Sequence, residues 1–190
     1  MACLITAGRL VECKDAIGGV KRVYLMNFIE DFAFTLGTGA TAFQVDNVPL
    51  GTEVFQYDLR PDLSGLTINV GADSATGTTS FEQVFAFTLQ RVSIADAAQI
   101  EAMAQGQLIA FVLDNNDNVW CCGMRHGLDV TAGVVQTGAT RTELTGIQLT
   151  LTGREPDSFL LLIPSSGVGE TKYPFDNITD IGNITITVGT

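Results

Sequence analysis

The residues best suited to chemistry lie at positions 121–126, where the sequence reads CCGMRH and includes the single histidine of the chain. Cysteine thiolates and histidine bind zinc, and a cysteine beside a histidine can act as a nucleophile. The spacing argues against both roles, because two adjacent residues on a strand point to opposite faces. A zinc site would need Cys3, Cys13 and His126 to be brought together by the fold, and no nucleophile elbow surrounds the pair. The sequence therefore predicts buried thiols.

Other motifs that could bind a ligand are incomplete. Residues 114–118 (DNNDN) resemble an oxygen-rich calcium loop but lack the glycine and glutamate that close an EF-hand, so a hairpin turn explains them better. The glycine-rich residues 37–41 are followed by neither Gly-Lys-Thr nor a helix that could receive a phosphate. We therefore expect no cofactor, no metal and no enzymatic activity.

The composition favours self-association over binding to nucleic acid. The chain has 190 residues, enough for one domain with a real core, and 46% of them are hydrophobic. Only 16% are charged, below the roughly 25% of typical globular chains, so neighbouring subunits are expected to cover a neutral surface. The formal net charge of −11 serves solubility and opposes adhesion to phosphates.

Two long strands dominate the predicted fold. In residues 81–91 the phenylalanines and Leu89 fall on one side of a ribbon with a period of two, as in a half-buried antiparallel strand. In residues 144–152, Leu144 is out of phase with the later apolar residues. A β-bulge at Gly146 would restore the register.

One helix is predicted between these strands. Ser93 is a suitable N-cap, Asp96 follows three residues later as its acidic partner, and Gly106 lies beyond the end, which places the helix at about 94–105. The stripe expected to cover an edge or face of the sheets contains Ile94, Ala97, Ala98 and Glu101.

The remaining pattern consists of short strands and turns. We therefore predict a mainly β fold, an antiparallel β-sandwich or barrel with one short flanking helix and extended hairpin or loop arms. Residues 1–190 form a single domain, with a mobile loop at 71–79 and a C-terminal extension from about 164. Further strands are predicted at 3–13, 20–30, 32–36, 42–45, 53–59, 66–70, 108–113, 119–124, 128–136 and 159–163.

The sequence lacks the features of a signal peptide and of a membrane span, so we expect a soluble protein made in the cytoplasm. Without an oxidising destination, the cysteines are expected to remain free thiols rather than to form disulfides.

The order of these elements, with the acidic balance, resembles the tail-tube, or major tail, proteins of tailed bacteriophages. Residues 1–9 (MACLITAGR) and 18–25 (GGVKRVYL) are also similar to the N-termini of phage virion proteins. In that family a β-sandwich flanked by one helix forms hexameric rings, which stack into a tube for DNA. The resemblance implies a structural protein of the virion tail, without catalytic residues. Its partners would be its own copies, other tail proteins such as the terminator, baseplate or tape measure, and double-stranded DNA passing through an acidic channel.

The resemblance also implies where copies would meet. Residues 81–91 and 142–152 would join between subunits into a barrel, and residues 71–79 would reach the next subunit or ring. Strand edges that are a liability in a monomer would then become pairing surfaces. The candidate subunit-interface residues are Asp73, Thr76, Phe81, Phe85, Gly146, Gln148 and Thr150.

Two alternatives stay open at this point. One is a different virion β-protein, such as a head–tail completion, tail-terminator or capsid-decoration protein, or the tube of a contractile injection system. The other is a small metal-binding or hydrolytic β-domain that uses the cysteine–histidine segment.

Overall fold

A computed structural model describes residues 7–11, 14–60, 62–180, 182 and 184–189. In these residues the chain forms two β-sheets and one α-helix, and neither sheet closes into a barrel. The predicted mainly β sandwich with one short helix is confirmed, in its open rather than its barrel form. The elements are β1 (Val20–Asn27), β2 (Thr35–Leu36), a 3₁₀ turn (Gly39–Thr41), β3 (Gln44–Asn47), β4 (Thr52–Asp58), β5 (Gly65–Asp73), β6 (Thr78–Gln90), α1 (Ile94–Gln105), β7 (Leu108–Asp114), β8 (Val119–Cys122), β9 (Asp129–Gln136), β10 (Gly146–Glu155), β11 (Leu160–Leu162) and β12 (Ile184–Val188).

Sheet A is the larger sheet, with the described strand order β12-β4-β1-β7-β8-β11-β3-β2. Most neighbours are antiparallel, while β11 with β3 and β12 with β4 are parallel. Strands β7 and β8 form the hairpin predicted across residues 114–118, in which Asp114 Oδ1 accepts the backbone N–H groups of Asn116 and Asn118.

Sheet B has the described order β5-β6-β10-β9, and every pair of neighbours is antiparallel. The register pairs Phe85 with Leu151 and Leu89 with Ile147, so the predicted apolar side of β6 is the side that packs inward. The two longest strands of the chain therefore pair with each other.

The predicted bulge at Gly146 is wrong. Gly146 is in register with Gln90 on one side and Gln136 on the other, because Leu144 lies before the strand rather than within it. The irregularity of this strand pair is instead in β9, where Thr131 is the extra residue opposite the step from Thr150 to the next residue of β10.

Sheet A is covered on both faces, and this sets the core. Its face toward sheet B contributes Val23 and Leu25 to one apolar cluster, while Tyr24 on the opposite face joins a second cluster. Phe175 and Ile178, from the segment after residue 164, pack in that second cluster. A strand buried on both faces needs apolar residues at consecutive positions, which is why β7 reads Leu-Ile-Ala-Phe-Val-Leu.

Helix α1 has the predicted start and end but a different buried face. Ser93 Oγ accepts the N–H of Asp96, and the Asp96 carboxylate accepts the N–H of Ser93, which completes a capping box. Met103 is buried and Ile100 half-buried, whereas Ile94, at the centre of the predicted stripe, is 96% exposed. The predicted stripe was wrong because it followed Ile94 and small alanines, whereas the inward side is marked by the larger Ile100 and Met103. No helix in the described ranges is long and apolar enough to span a membrane.

Two terminal segments differ from the predicted pattern. The strand predicted at 3–13 falls partly outside the described residues, and residues 7–11 have no regular structure. The segment from about 164 does not extend away from the domain. It lies on sheet A, and β12 adds to the edge of that sheet beside β4.

Candidate self-association surface

The hairpin of β5 and β6 extends beyond the rest of the sandwich. The two strands stay in register out to the pair of Asp73 with Thr78, and every residue from 69 to 79 is exposed. The segment predicted as a loop at 71–79 is therefore mostly paired strand, with the turn itself at residues 74–77. We call this exposed ribbon, residues 69–79, the arm.

The tip of the arm is held by its own hydrogen bonds. Asp73 Oδ1 accepts the N–H of Ala75 at 2.8 Å, and the hydroxyls of Thr76 and Thr78 are 2.8 Å apart. Backbone N–H donors at Ala75 and Thr76, with the Thr76 hydroxyl, lower the pKa of the Asp73 carboxyl below its ordinary value. The predicted interface residues Asp73 and Thr76 thus lie on a preformed, charged and accessible turn.

Sheet B has free edges at β5 and β9. Within the described residues, β5 pairs only with β6, and β9 pairs only with β10. By contrast, β6 and β10 each have a neighbour on both sides. The expectation that residues 81–91 and 142–152 join between subunits is therefore corrected, because those strands have no unpaired edge in the chain.

Both free edges expose large aliphatic side chains. Val70 on β5 is 68% exposed, and the adjacent Val134 and Val135 on β9 are 52% and 60% exposed. An apolar residue at the edge of an unprotected strand favours pairing with another chain. Lysine and proline are absent from both strands, and the charged residues Asp73 and Asp129 lie only at strand ends, although β9 also has the irregularity at Thr131.

An apolar groove lies beside the β5 edge, between the two sheets. Its volume is about 550 Å³. Sheet B contributes Leu66 and Ile68 to its wall, and sheet A contributes Val20 and Trp120. The indole N–H of Trp120 donates to Asp114 Oδ2 at 3.1 Å, so only the apolar part of the ring is left to line the groove. We call this cavity the β5 groove.

The remaining predicted interface residues have different surroundings. Phe81 lines the β5 groove. Gln148 and Thr150 lie on the face of sheet B that points away from sheet A, where Gln148 is exposed. Phe85 is 0% exposed and stacks with its ring centroid 5.1 Å from that of Phe87, so it belongs to the core and not to the surface.

Gly146 is also buried, for a reason unrelated to a bulge. A Cβ at this position would lie 2.2 Å from the carbonyl oxygen of Leu89 on the neighbouring strand. Real Cβ atoms do not approach a backbone oxygen so closely. Gly146 therefore allows close pairing of β10 with β6 and is inaccessible to another subunit.

The cysteine–histidine segment does not assemble into a reactive site. Cys121 and Cys122 are buried in different apolar clusters, on opposite faces of β8 as predicted. Burial raises the pKa of the Cys122 thiol to about 12 and that of Cys121 well above its ordinary value, so both stay protonated. Within the part of the chain that the structure describes, no group of three or more His, Cys, Asp or Glu side chains is placed to hold a metal ion. Cys3 and Cys13 lie outside the described residues.

His126 belongs to a structural turn. Its Nδ1 is 3.7 Å from Glu155 Oε2. The other oxygen of the buried Glu155 carboxylate accepts the backbone N–H groups of Arg125 and His126, at 3.2 and 3.0 Å. The carboxylate thus supplies acceptors for a turn whose own N–H groups would be unpaired.

Comparisons of the chain with protein-family models, curated proteins and solved structures find no match. The surface described above must therefore be interpreted from its own geometry.

Sequence reasoning predicted strands at 66–70 and 128–136 but missed that both lie at sheet edges, and it missed the groove. One signal was available, since the adjacent valines at 134 and 135 break the alternation of polar and apolar residues expected of a half-exposed strand. No comparable signal marks Trp120, because the pairing that places it beside β5 is between distant parts of the chain.

Proposed function

We propose that this chain is a structural protein of a phage tail tube, which self-associates into rings that stack to form a channel for DNA. The proposal joins the family resemblance of the sequence to one structural observation that carries it: the two free, apolar edges of sheet B. It assigns the protein to the virion tail, with its own copies as principal partner and other tail proteins at the ends of the tube.

The directions of the two edges support a ring. Because neighbours in the order β5-β6-β10-β9 are antiparallel, β5 and β9 run in opposite directions. When a second copy is placed beside the first without being turned over, β9 of one copy and β5 of the next are antiparallel. Such a head-to-tail contact uses two different surfaces and can close into a ring. The pairing strands are β5 and β9, in place of those first expected.

The open face of sheet B is the surface that we assign to the channel. The strand register places threonine, glutamine and asparagine side chains there, as well as three carboxylates, from Asp73, Glu82 and Asp129, and one guanidinium, from Arg154. Arg154 Nη2 is 3.3 Å from Glu82 Oε1, so the opposite charges of these two side chains neutralise each other. The excess of carboxylates would repel DNA phosphates and allow DNA to pass without adhering.

Electron microscopy and light scattering of the purified full chain test the proposal. We expect ring-shaped particles with a central hole, six-fold by the family resemblance, and tubes at higher protein concentration. Closed rings that never stack would favour a terminator or completion protein instead. A protein that remains strictly monomeric at high concentration would contradict self-association and overturn the proposal.

A further inference from the structure

Helix α1 has exposed apolar residues that nothing in the described chain covers. Ile100 and Met103 mark its inward side. One hundred degrees per residue then places Ile94 and Ala98 on the opposite side, and both are exposed. Val92, just before the helix, is exposed as well. We call Val92, Ile94 and Ala98 the outward patch.

The outward patch and the β5 groove lie at opposite ends of the same layer of the molecule. The groove is lined by Val20, at the start of β1. Helix α1 lies over the other end of β1, where Met103 borders a small cavity with Leu25, and it contacts β9. Val20, Leu25 and Met103 all belong to the apolar cluster between the two sheets. One free edge of sheet B is thus flanked by a helix and the other by a groove.

We propose that the outward patch of α1 in one copy occupies the β5 groove of the next copy, while β9 of the first copy pairs with β5 of the second. This inference rests on the proposed function and deepens it. The occupant is a second copy because pairing of β9 with β5 of the next copy joins the apolar clusters between the sheets of the two copies into one continuous layer. The helix at the end of the first layer then meets the groove at the start of the second.

The chemistry of the two surfaces agrees with this occupant. The three residues of the outward patch are uncharged, although Glu101 and Gln105 lie on the same side of the helix, and the groove is lined mainly by apolar groups from both sheets. In an isolated chain both surfaces are exposed to water, so their apolar area contributes no hydrophobic stabilisation. Head-to-tail contact removes both from water in a single step and uses the two ends of every copy.

The topology also fixes which part of the helix meets which part of the groove. Helix α1 begins soon after Gln90, at the end of sheet B where β5 starts. It ends before β7, whose first residue, Leu108, pairs with Leu128 just before β9. Ile94 should therefore lie near Leu66 of the next copy, at the start of β5, rather than near the arm.

Cysteine cross-linking of the full chain tests this register. In a background with Cys3→Ser and Cys13→Ser, and with buried Cys121 and Cys122 kept, Ile94→Cys is mixed with Leu66→Cys or with Ile68→Cys and oxidised. We expect disulfide-linked dimers from at least one mixture, and few from any single variant alone. The control mixture pairs Ile94→Cys with Val188→Cys, an exposed residue of β12 in sheet A, and should give only background dimer.

A charge in the patch tests its contribution to assembly. Ala98→Arg should weaken association at least about tenfold by light scattering, because it places a long, unpaired charged side chain where the contact would bury a methyl group. Its unfolding midpoint at concentrations where the chain is monomeric should match that of the wild type, since Ala98 is exposed. Leu50→Arg is the matched control, because it adds the same charge at an exposed apolar residue in the turn before β4.

The outcomes separate this inference from the function on which it rests. If the wild-type chain forms no ring, both fail. If rings form but neither mixture exceeds the control mixture, or if Ala98→Arg and Leu50→Arg assemble equally well, the placement of α1 is overturned and the proposed function stands.

Discussion

Strand β7 in sheet A and strand β5 in sheet B both contain several large aliphatic residues, but only those of β7 are buried. Six consecutive residues of β7 are buried, because the strand has neighbours on both edges and apolar layers on both faces. No residue of β5 is fully buried, and the strand has one neighbour in the described chain. Sheet A therefore completes its packing within one chain, whereas sheet B leaves part of its packing to be completed by another.

The largest loss of stability should come from a substitution at the centre of sheet A. Phe111 is fully buried, and its ring meets that of Phe175 edge-on at 5.2 Å. Phe111→Ala removes this contact and leaves a cavity, so we expect the free energy of unfolding to fall by about 3–5 kcal/mol. Urea denaturation of the monomer measures this change in the free energy of unfolding.

Val70→Ala on β5 is the matched control for that variant. Since Val70 is mostly exposed, its truncation should change the stability of the monomer by less than about 1 kcal/mol. Equal losses for the two variants would mean that β5 is packed as tightly as β7, and the contrast between the sheets would disappear.

A second variant separates the interior of sheet B from its edge. Gly146→Ala places a Cβ against the backbone carbonyl of Leu89, which can only be relieved by moving β10 away from β6. We expect a loss of about 1–3 kcal/mol, the usual cost of overpacking. Thermal or urea unfolding checks this value.

Gly65→Ala, at the start of β5, provides the control. A Cβ there has no atom within 4 Å, so this change should be close to neutral. If Gly146→Ala were tolerated as well as Gly65→Ala, the close pairing of β10 with β6 would not be needed.

The third prediction compares the edges of the two sheets. Val135→Lys puts a charge on the free edge of β9, where it should leave the monomer within about 0.5 kcal/mol of the wild type. It should weaken association at least about tenfold, because lysine at a strand edge opposes pairing. Light scattering over a concentration series gives the association constant.

Val188→Lys makes the same change on β12, at the edge of sheet A. Val188 is about as exposed as Val135, so the two variants differ mainly in which sheet they alter. Assembly should survive Val188→Lys. Loss of assembly in that variant alone would move the interface from sheet B to sheet A.

The sequence predicted elements and the pairing of adjacent strands β7–β8 and β9–β10 well, but it predicted distant strand partners poorly. Alternation along β6 correctly identified the face of Phe85 and Phe87, because the face depends only on spacing within the strand. It could not tell that β6 pairs with β10, since pairing depends on residues about sixty positions away. Phe85 was therefore expected at a subunit interface, although its apolar side chain is completely buried inside its own chain.

Helix α1 illustrates the same limit in the candidate site. Its N-cap and its end were predicted because capping depends on a few local side chains and on Gly106. Its orientation was not, because a helix with five alanines has no strong apolar face, and its inward side is set by packing in the apolar cluster that contains Leu25 and Leu108. The outward patch could be recognised only after those contacts were known.

The smallest predicted effect concerns that helix, which few tertiary contacts support. Ser93→Ala removes the acceptor for the N–H of Asp96, so we expect the monomer to lose about 1 kcal/mol, within the usual range of about 0.5–2 kcal/mol for an N-cap. Ser93→Thr keeps a hydroxyl acceptor and should retain most of the stability. Because Ile94 is the first residue of α1, fraying at this end should weaken assembly in the alanine variant more than in the threonine variant. If both variants assemble like the wild type while the alanine variant alone loses helical circular dichroism, the start of α1 is dispensable for the contact. Edge pairing of β9 with β5 must then account for association without it.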